Sequence, residues 1–321
     1  MTLTASSCKN KDLLRCSAKR TENKVIVVAG PTASGKSALA AGLAAAADGV
    51  VINADSMQVY RDVPTLTARP SPQEERAVPH RLYGFLEPDA DFSVFKWVRA
   101  AADEIEHARE SGKTPVVVGG TGLYLQTLIN GISPVPRADE TVRRAVRAEC
   151  ETMGFDRFLA EFQKKDASFS FSDPQRVLRA AEVLAQTGKS VTYWQNLPYE
   201  KSVEADFFCI LTDPPRADLY DRCDRRFDRM MQSAAVDEVR ALLAKNPPPD
   251  SLILKAVGVR EITAFLNGVI TRDEAAARAR QMTRNYAKRQ ITWFKHRFCA
   301  DCIVSDAKSP DALTDALHFL E

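Results

Sequence analysis

The 321-residue sequence predicts an α/β fold, a parallel sheet flanked by helices and carrying a small all-helical insertion. Three observations lead there. Runs of β-branched residues with the length of buried strands recur at 25–28, 49–53 and 115–118, each separated from the next by a helical or turn-rich crossover. A glycine-rich loop joins the first run to an alanine-rich stretch of strong helix propensity. From about residue 134 to 204 strand-type runs vanish and helical periodicity takes over.

In order, residues 1–22 are polar and basic, lack the apolar core of a signal peptide, and read as a disordered tail. The first strand ends in Gly30-Pro31-Thr32-Ala33-Ser34-Gly35-Lys36-Ser37, which has the G-x-x-x-x-G-K-S spacing of a phosphate-binding loop. The glycines let several backbone N–H groups converge on one anion, and the following helix adds its positive end. Lys36 would place a full charge on the terminal phosphates and the Ser37 hydroxyl would ligate Mg²⁺. The ligand is a phosphate or a diphosphate, and the loop does not distinguish them.

The second strand, 49–53, runs into Ala54-Asp55-Ser56-Met57-Gln58. Functional groups of open parallel sheets gather beyond the carboxyl ends of strands, so Asp55 should share a crevice with Gly30. It suits a Mg²⁺ ligand or a general base, or simply a helix N-cap. Residues 61–92, with prolines at 64, 70, 72, 79 and 88, read as a long surface excursion. A helix over 92–110 is expected to bury Phe95, Val98, Ala102 and Ile105. The third strand meets Gly119-Gly120-Thr121, where two glycines permit close approach to a ligand and Thr121 offers a hydroxyl.

In the insertion, Asp173-Pro174 is a helix start signal, N-cap followed by proline. The helix it opens buries Val177, Leu178, Ala181 and Leu184 and projects Gln175, Arg176 and Arg179 elsewhere; Arg143 lies on the polar side of an earlier helix. A strand returns at 207–212, with Arg216 just beyond its end, suited to clasping a phosphate oxygen. Residues 219–244 read as one long helix. The domains expected are therefore the tail 1–22, an α/β core of 23–133 plus 205–321, and the helical insertion 134–204.

Residues 272–297 carry eight Lys or Arg against Asp273 and Glu274. On a helix, Arg280, Arg284, Lys288 and Lys295 fall within roughly a quarter of the circumference, with Met282, Tyr286 and Trp293 on another stripe available for packing. Such a ridge spans several backbone phosphates of a nucleic acid, and equally suits a solvated face.

A net charge of +2 gives no global basic field, so any nucleic-acid contact must be local. No apolar run reaches the length of a membrane-spanning helix. Seven scattered cysteines fit a reducing cytoplasm better than a disulfide scaffold. His296, Cys299 and Cys302 have zinc-like spacing without a fourth ligand to complete the site.

The strings GPTASGKS, NADSMQVYRD, VPHRLYGF, VVVGGTGLYLQTLINGISP, DPQRVLRAAEV and AKRQITWF, in that order over residues 25–297, resemble the tRNA dimethylallyltransferase family. The resemblance implies a P-loop NTPase-like sheet and transfer of a dimethylallyl group from dimethylallyl diphosphate to N6 of adenosine 37 in tRNA. It also implies that Lys36, Arg216 and Ser37-bound Mg²⁺ neutralise the leaving diphosphate. Asp55 becomes the general base with Thr121 beside it, and Ser56, Met57 and Gln58 line the path of the flipped adenine. Arg143 and the run Gln175, Arg176, Val177, Leu178 and Arg179 match positions contacting the anticodon stem-loop. Arg284, Lys288, Arg289 and Gln290 would grip the RNA backbone. The implied enzyme is a cytoplasmic monomer of bacterial type, with no membrane association. The sequence departs from the family at 62–70, where Pro64 and Leu66 replace residues expected to be flexible or polar.

Three rival readings share part of these motifs. A small-molecule P-loop kinase explains the loop but not the basic C-terminal ridge. An isopentenyltransferase acting on free adenine nucleotides has no use for the arginine-bearing insertion. A GTP-dependent switch needs Asn-Lys-x-Asp, and neither Asn10-Lys11 nor Asn23-Lys24 is followed by Asp at the required position.

Overall fold

A computed structural model describes residues 23–305, 307, 313–314 and 317–319; the expected tail, 1–22, lies outside them. Strand β1 (Lys24–Ala29) and helix α1 (Lys36–Ala46) flank the glycine loop, and β2 (Gly49–Asn53) follows. The excursion over 61–92 is more ordered than its prolines suggest. It holds two short helices, α2 (Pro64–Thr67) and α3 (Pro72–Ala77), and an edge strand, β3 (His80–Arg81). Two residues are too few for an alternation pattern, so no strand signal precedes β3.

Helix α4 (Val94–Glu110) leads to β4 (Thr114–Gly119) and α5 (Gly122–Asn130). Its buried stripe is Trp97, Val98, Ala101, Ala102, Ile105 and Ala108; Phe95, expected inside, is 49% exposed. Trp97 takes the interior position. Its indole Nε1–H donates to the Asn53 carbonyl at 2.8 Å, and its ring stacks on Tyr124 at 4.4 Å.

The insertion comprises α6 (Glu140–Met153), α7 (Phe155–Lys165), α8 (Pro174–Thr187) and α9 (Val191–Gln195). Asp173 caps α8 by accepting from Arg176 N at 3.0 Å, with Pro174 at the first position. Val146, Phe158, Phe162, Phe169 and Val177 form a hydrophobic cluster of their own. The connections on either side meet, since Ile132 and Glu200 exchange two backbone hydrogen bonds, 2.8 and 2.9 Å, in an antiparallel bridge.

Strand β5 (Asp206–Thr212) returns the chain to the sheet. The single helix expected over 219–244 is two, α10 (Arg216–Gln232) and α11 (Ala235–Ala244), because Ser233 leaves helical geometry with φ −108° and ψ −133°. Helix α12 (Val259–Leu266), the 26-residue α13 (Arg272–Arg297) and β6 (Cys302–Val304) follow.

All neighbouring strands are parallel, in the order β3-β2-β4-β1-β5-β6. Both faces of the central strand are covered: Val25, Val27 and Ala29 enter the larger core, while Ile26 and Val28 pack with Leu39 and Leu43 of α1. Two-sided burial explains why these strands read as continuous apolar runs. The loops after β1, β2, β4 and β5 therefore open at one sheet edge, where the crevice of such a fold lies.

Candidate active site

The glycine loop is held in shape by contacts on its back. Ser34, fully buried, shares a 2.5 Å hydrogen bond with Thr212 Oγ1, and the Thr212 hydroxyl reaches the Ala29 carbonyl at 3.2 Å. Ala33 (φ 64°) and Gly35 (φ 92°) adopt left-handed conformations, which turn successive N–H groups to one side. Lys36 folds back so that its Nζ donates to the Pro31 carbonyl at 3.1 Å. Burial lowers its pKa to about 8, Asp55 pulling the other way and Arg226 reinforcing the drop.

Asp55 lies in the turn after β2. Its backbone N–H donates to Asn53 Oδ1 (2.8 Å), and its own Oδ1 accepts from Met57 N (2.9 Å), a local turn. No helix begins here, so the bonds close a turn and do not cap a helix, the alternative role expected of Asp55, and Asp55 lines a cavity of about 210 Å³ with Thr32, Ser56, Met57 and Arg226. Thr121 lies against the same turn: its Oγ1 accepts from Ser56 N at 2.9 Å and donates to Ser56 Oγ at 3.3 Å, and its N–H donates to the Ala54 carbonyl at 3.2 Å. Lys36, Asp55 and Thr121, from three loops, therefore converge.

Arg216 does not join them. It is exposed at the first turn of α10 and does not border the cavity. Arg226, about 15 Å further along the same helix, does, and its guanidinium donates to Thr32 Oγ1. Burial lowers its pKa from the ordinary arginine value. The signal for it was present: Leu219, Cys223, Phe227 and Met230 form the buried stripe of α10, and Arg226 is a cation set on that stripe. Tyr286, expected to pack, also borders the cavity, and burial with Asp55 nearby raises its pKa.

The cavity lining is also partly apolar, with Leu66, Phe227, Met230 and Val257. Cations and apolar side chains lining one cavity suit an anionic head on a short hydrocarbon. Leu66, a departure within 62–70, is 93% buried and belongs to that lining. Its segment is pinned, because Thr65 N and Leu66 N donate to the Glu238 carboxylate and Gln58 Nε2 donates to the carbonyls of Thr67 and Ala68. Gln58 thereby orders that part of the lining, while Ser56 and Met57 border the space.

Other expected positions divide. Gly119 and Gly120 make room for protein: a Cβ on Gly119 would lie 2.1 Å from the Ala54 carbonyl oxygen, and one on Gly120 2.3 Å from the Gln290 amide. Gln290, expected to grip RNA, is 95% buried and bonded to the protein at both ends. Arg284 pairs with Asp224, and Arg280 with Asp228 at 2.8 Å, so both fasten α13 to α10. Lys288 and Arg289 are exposed, with Arg289 at the cavity mouth.

In the insertion, Val177 is fully buried in the local core and cannot touch a ligand. Arg143, Gln175, Arg176, Leu178 and Arg179 border a groove of about 450 Å³ with Arg147 and Glu182. Arg176 lies 4.8 Å over the exposed Phe171 ring, a cation and an aromatic face presented together.

Among the described residues, no group of three His, Cys, Asp or Glu is arranged to hold a metal. Mg²⁺ characteristically takes one or two protein oxygens and completes its shell with substrate phosphates and water. The exposed Ser37 hydroxyl at the start of α1 fits that use. Among the described residues, no helix is long and apolar enough to cross a membrane.

Residues 58–297 match the family described as IPP transferase, and residues 23–85 match that described as isopentenyl transferase. The chain is 45% identical over 277 residues to a tRNA dimethylallyltransferase of Azorhizobium caulinodans, covering 85% of this chain and 89% of that protein. It is 46% identical over 284 residues to one of Methylobacterium nodulans, covering 87% and 93%. Among solved structures, a eukaryotic dimethylallyltransferase acting on tRNA superimposes with TM-score 0.79 at 27% identity, covering 93% of this chain and 79% of that one. The tRNA isopentenylpyrophosphate transferase of Bacillus halodurans gives 0.67 at 31% identity, covering 93% and 95%.

Proposed function

The chain belongs to the IPP transferase family, and from that premise we propose that it transfers the dimethylallyl group of dimethylallyl diphosphate to N6 of adenosine 37 in tRNA. The single observation that carries the reading is that Asp55 and Arg226 border one partly apolar cavity, with Lys36 close enough to feel both charges and Thr121 bonded to the Asp55–Ser56 turn. The phosphate loop, Lys36 and Arg226 bind the diphosphate, whose bond to the allylic carbon breaks as the N6–C bond forms. Charge then develops on the leaving oxygen, where fixed cations act most strongly. An exocyclic amine is a very weak acid, so its proton passes to the Asp55 carboxylate as the new bond forms. Thr121 holds the Asp55–Ser56 turn through Ser56 N, which fixes the base relative to the loop. Mg²⁺, held by Ser37 and the diphosphate, would add further neutralisation of the leaving group.

The adenine leaves its stack to reach this depth, at a cost of a few kcal/mol. Arg143, Arg176 and Arg179 of the insertion and Lys288 and Arg289 of α13 are the RNA contacts of this reading, directed at the anticodon stem-loop. The protein acts as a cytoplasmic monomer.

Incubation with radiolabelled dimethylallyl diphosphate, Mg²⁺ and either unmodified tRNA or AMP tests it. Label enters tRNA and not AMP; the reverse establishes the free-nucleotide reaction, and phosphate transfer from ATP with no prenyl transfer establishes a kinase. Asp55→Ala lowers turnover by about two to four decades while tRNA binding stays near wild type. An equal loss of binding, measured by filter retention, makes Asp55 a positioning group instead.

A further inference from the structure

Gln290 is the buried polar residue of α13 that touches two catalytic loops at once. Its Oε1 accepts from Thr32 N in the phosphate loop at 2.8 Å, and its Nε2 donates to the Gly120 carbonyl at 2.9 Å. One partner is a donor and the other an acceptor, so the orientation of the amide is dictated by chemistry. Gly120 immediately precedes Thr121, whose hydroxyl and N–H hold the Asp55–Ser56 turn. The fit is close, since any side chain at position 120 would collide with the Gln290 amide. Two residues on, the Trp293 ring closes over Gly122, where a Cβ would lie 2.2 Å from it, a second close approach of α13 to the same segment.

We propose that Gln290 is a positioning residue for the transfer reaction: its amide fixes the phosphate loop and the Thr121–Asp55 turn at the separation that in-line displacement requires. The inference rests on the reaction proposed above. One of the two loops holds the leaving group, and the other carries Thr121, whose hydroxyl holds the neighbouring turn that bears the base. The β1–β4 ladder ends at the Ala29–Gly119 pair, and the amide continues the connection just beyond it. Geometric error between reacting groups is expensive, with about 1 Å of misplacement worth up to a hundredfold in rate.

The test uses the full chain and single-turnover prenyl transfer to unmodified tRNA, with rates expressed per folded site by active-site titration. Gln290→Leu keeps the bulk and removes both bonds; the rate per site falls about ten- to a hundredfold while KM for tRNA stays within twofold. A purely structural role would lower the folded fraction and leave the rate per site alone. Gln290→Glu supplies the second readout. Its carboxylate accepts from Thr32 N but repels the Gly120 carbonyl, whereas its protonated form offers one donor and one acceptor as glutamine does. The ratio of Gln290→Glu to wild-type rate therefore rises toward one as pH falls between 8 and 5.5. A Gln290→Leu rate equal to wild type, or a ratio that is flat with pH, overturns the proposal. If wild type itself transfers no prenyl group to tRNA, the reaction assignment fails instead. Protection of the Thr32 and Gly120 segments from hydrogen exchange, lost in Gln290→Leu, then still tests whether the amide links the loops, and unchanged protection refutes it.

Discussion

Burial, Asp55 and Arg226 act together on the ammonium group of Lys36. Its pKa is lowered to about 8, desolvation being the largest cause, and the diphosphate needs the charged form. The lysine loses its proton as pH rises through 8, so affinity for dimethylallyl diphosphate falls by about tenfold from pH 7 to 9. Lys36→Arg, charged throughout, removes that component, and calorimetric titration across this range checks both. Arg226 is the companion cation: Arg226→Ala raises the Kd for the diphosphate by about tenfold or more, whereas Arg216→Ala on the exposed first turn leaves it within twofold. The phosphate loop, Asp55 and Thr121 are legible as single positions because each directly follows a strand whose composition is unmistakable. Arg226 and Gln290 are harder to read, since they are polar residues on buried helical stripes whose meaning depends on which loop the helix covers.

The charged residues of α13 illustrate what periodicity can and cannot say. Arg280, Arg284, Lys288 and Lys295 share a face by helical geometry, but only the neighbouring helix decides which of them meet solvent. Asp224 and Asp228, spaced by four on α10, take the first two. Arg284→Ala strands a half-buried Asp224, lowers stability by about 1–2 kcal/mol in denaturant titration and leaves the salt dependence of tRNA binding as in wild type. Lys288→Ala does the opposite, keeping stability and reducing the log–log salt slope by about one. The edge strands β3 and β6 are the elements with least signal, two and three residues long, and their pairing comes from the sheet they join.

Across the molecule, the sheet, its crossovers and the helical insertion are all legible in the sequence, because two-sided burial writes continuous apolar runs and the insertion interrupts them. The direction the insertion presents to a ligand is not. Its hydrophobic cluster is separate from the two that sandwich the sheet. Phe162, 96% buried in that cluster, contributes about 3–5 kcal/mol relative to alanine. Phe162→Ala is therefore expected to loosen residues 140–195 in hydrogen exchange and weaken tRNA binding, while affinity for dimethylallyl diphosphate, whose proposed site is the sheet crevice, remains within twofold.

The antiparallel bridge between Ile132 and Glu200 has a consequence for how such a chain can change. Entry and exit of residues 133–199 sit side by side, so the segment is joined to the rest at a common doorway. Replacing it by a short turn, or by the equivalent piece of a relative, is expected to leave strand order and the sheet crevice in place and to change only the RNA contacts proposed for the insertion.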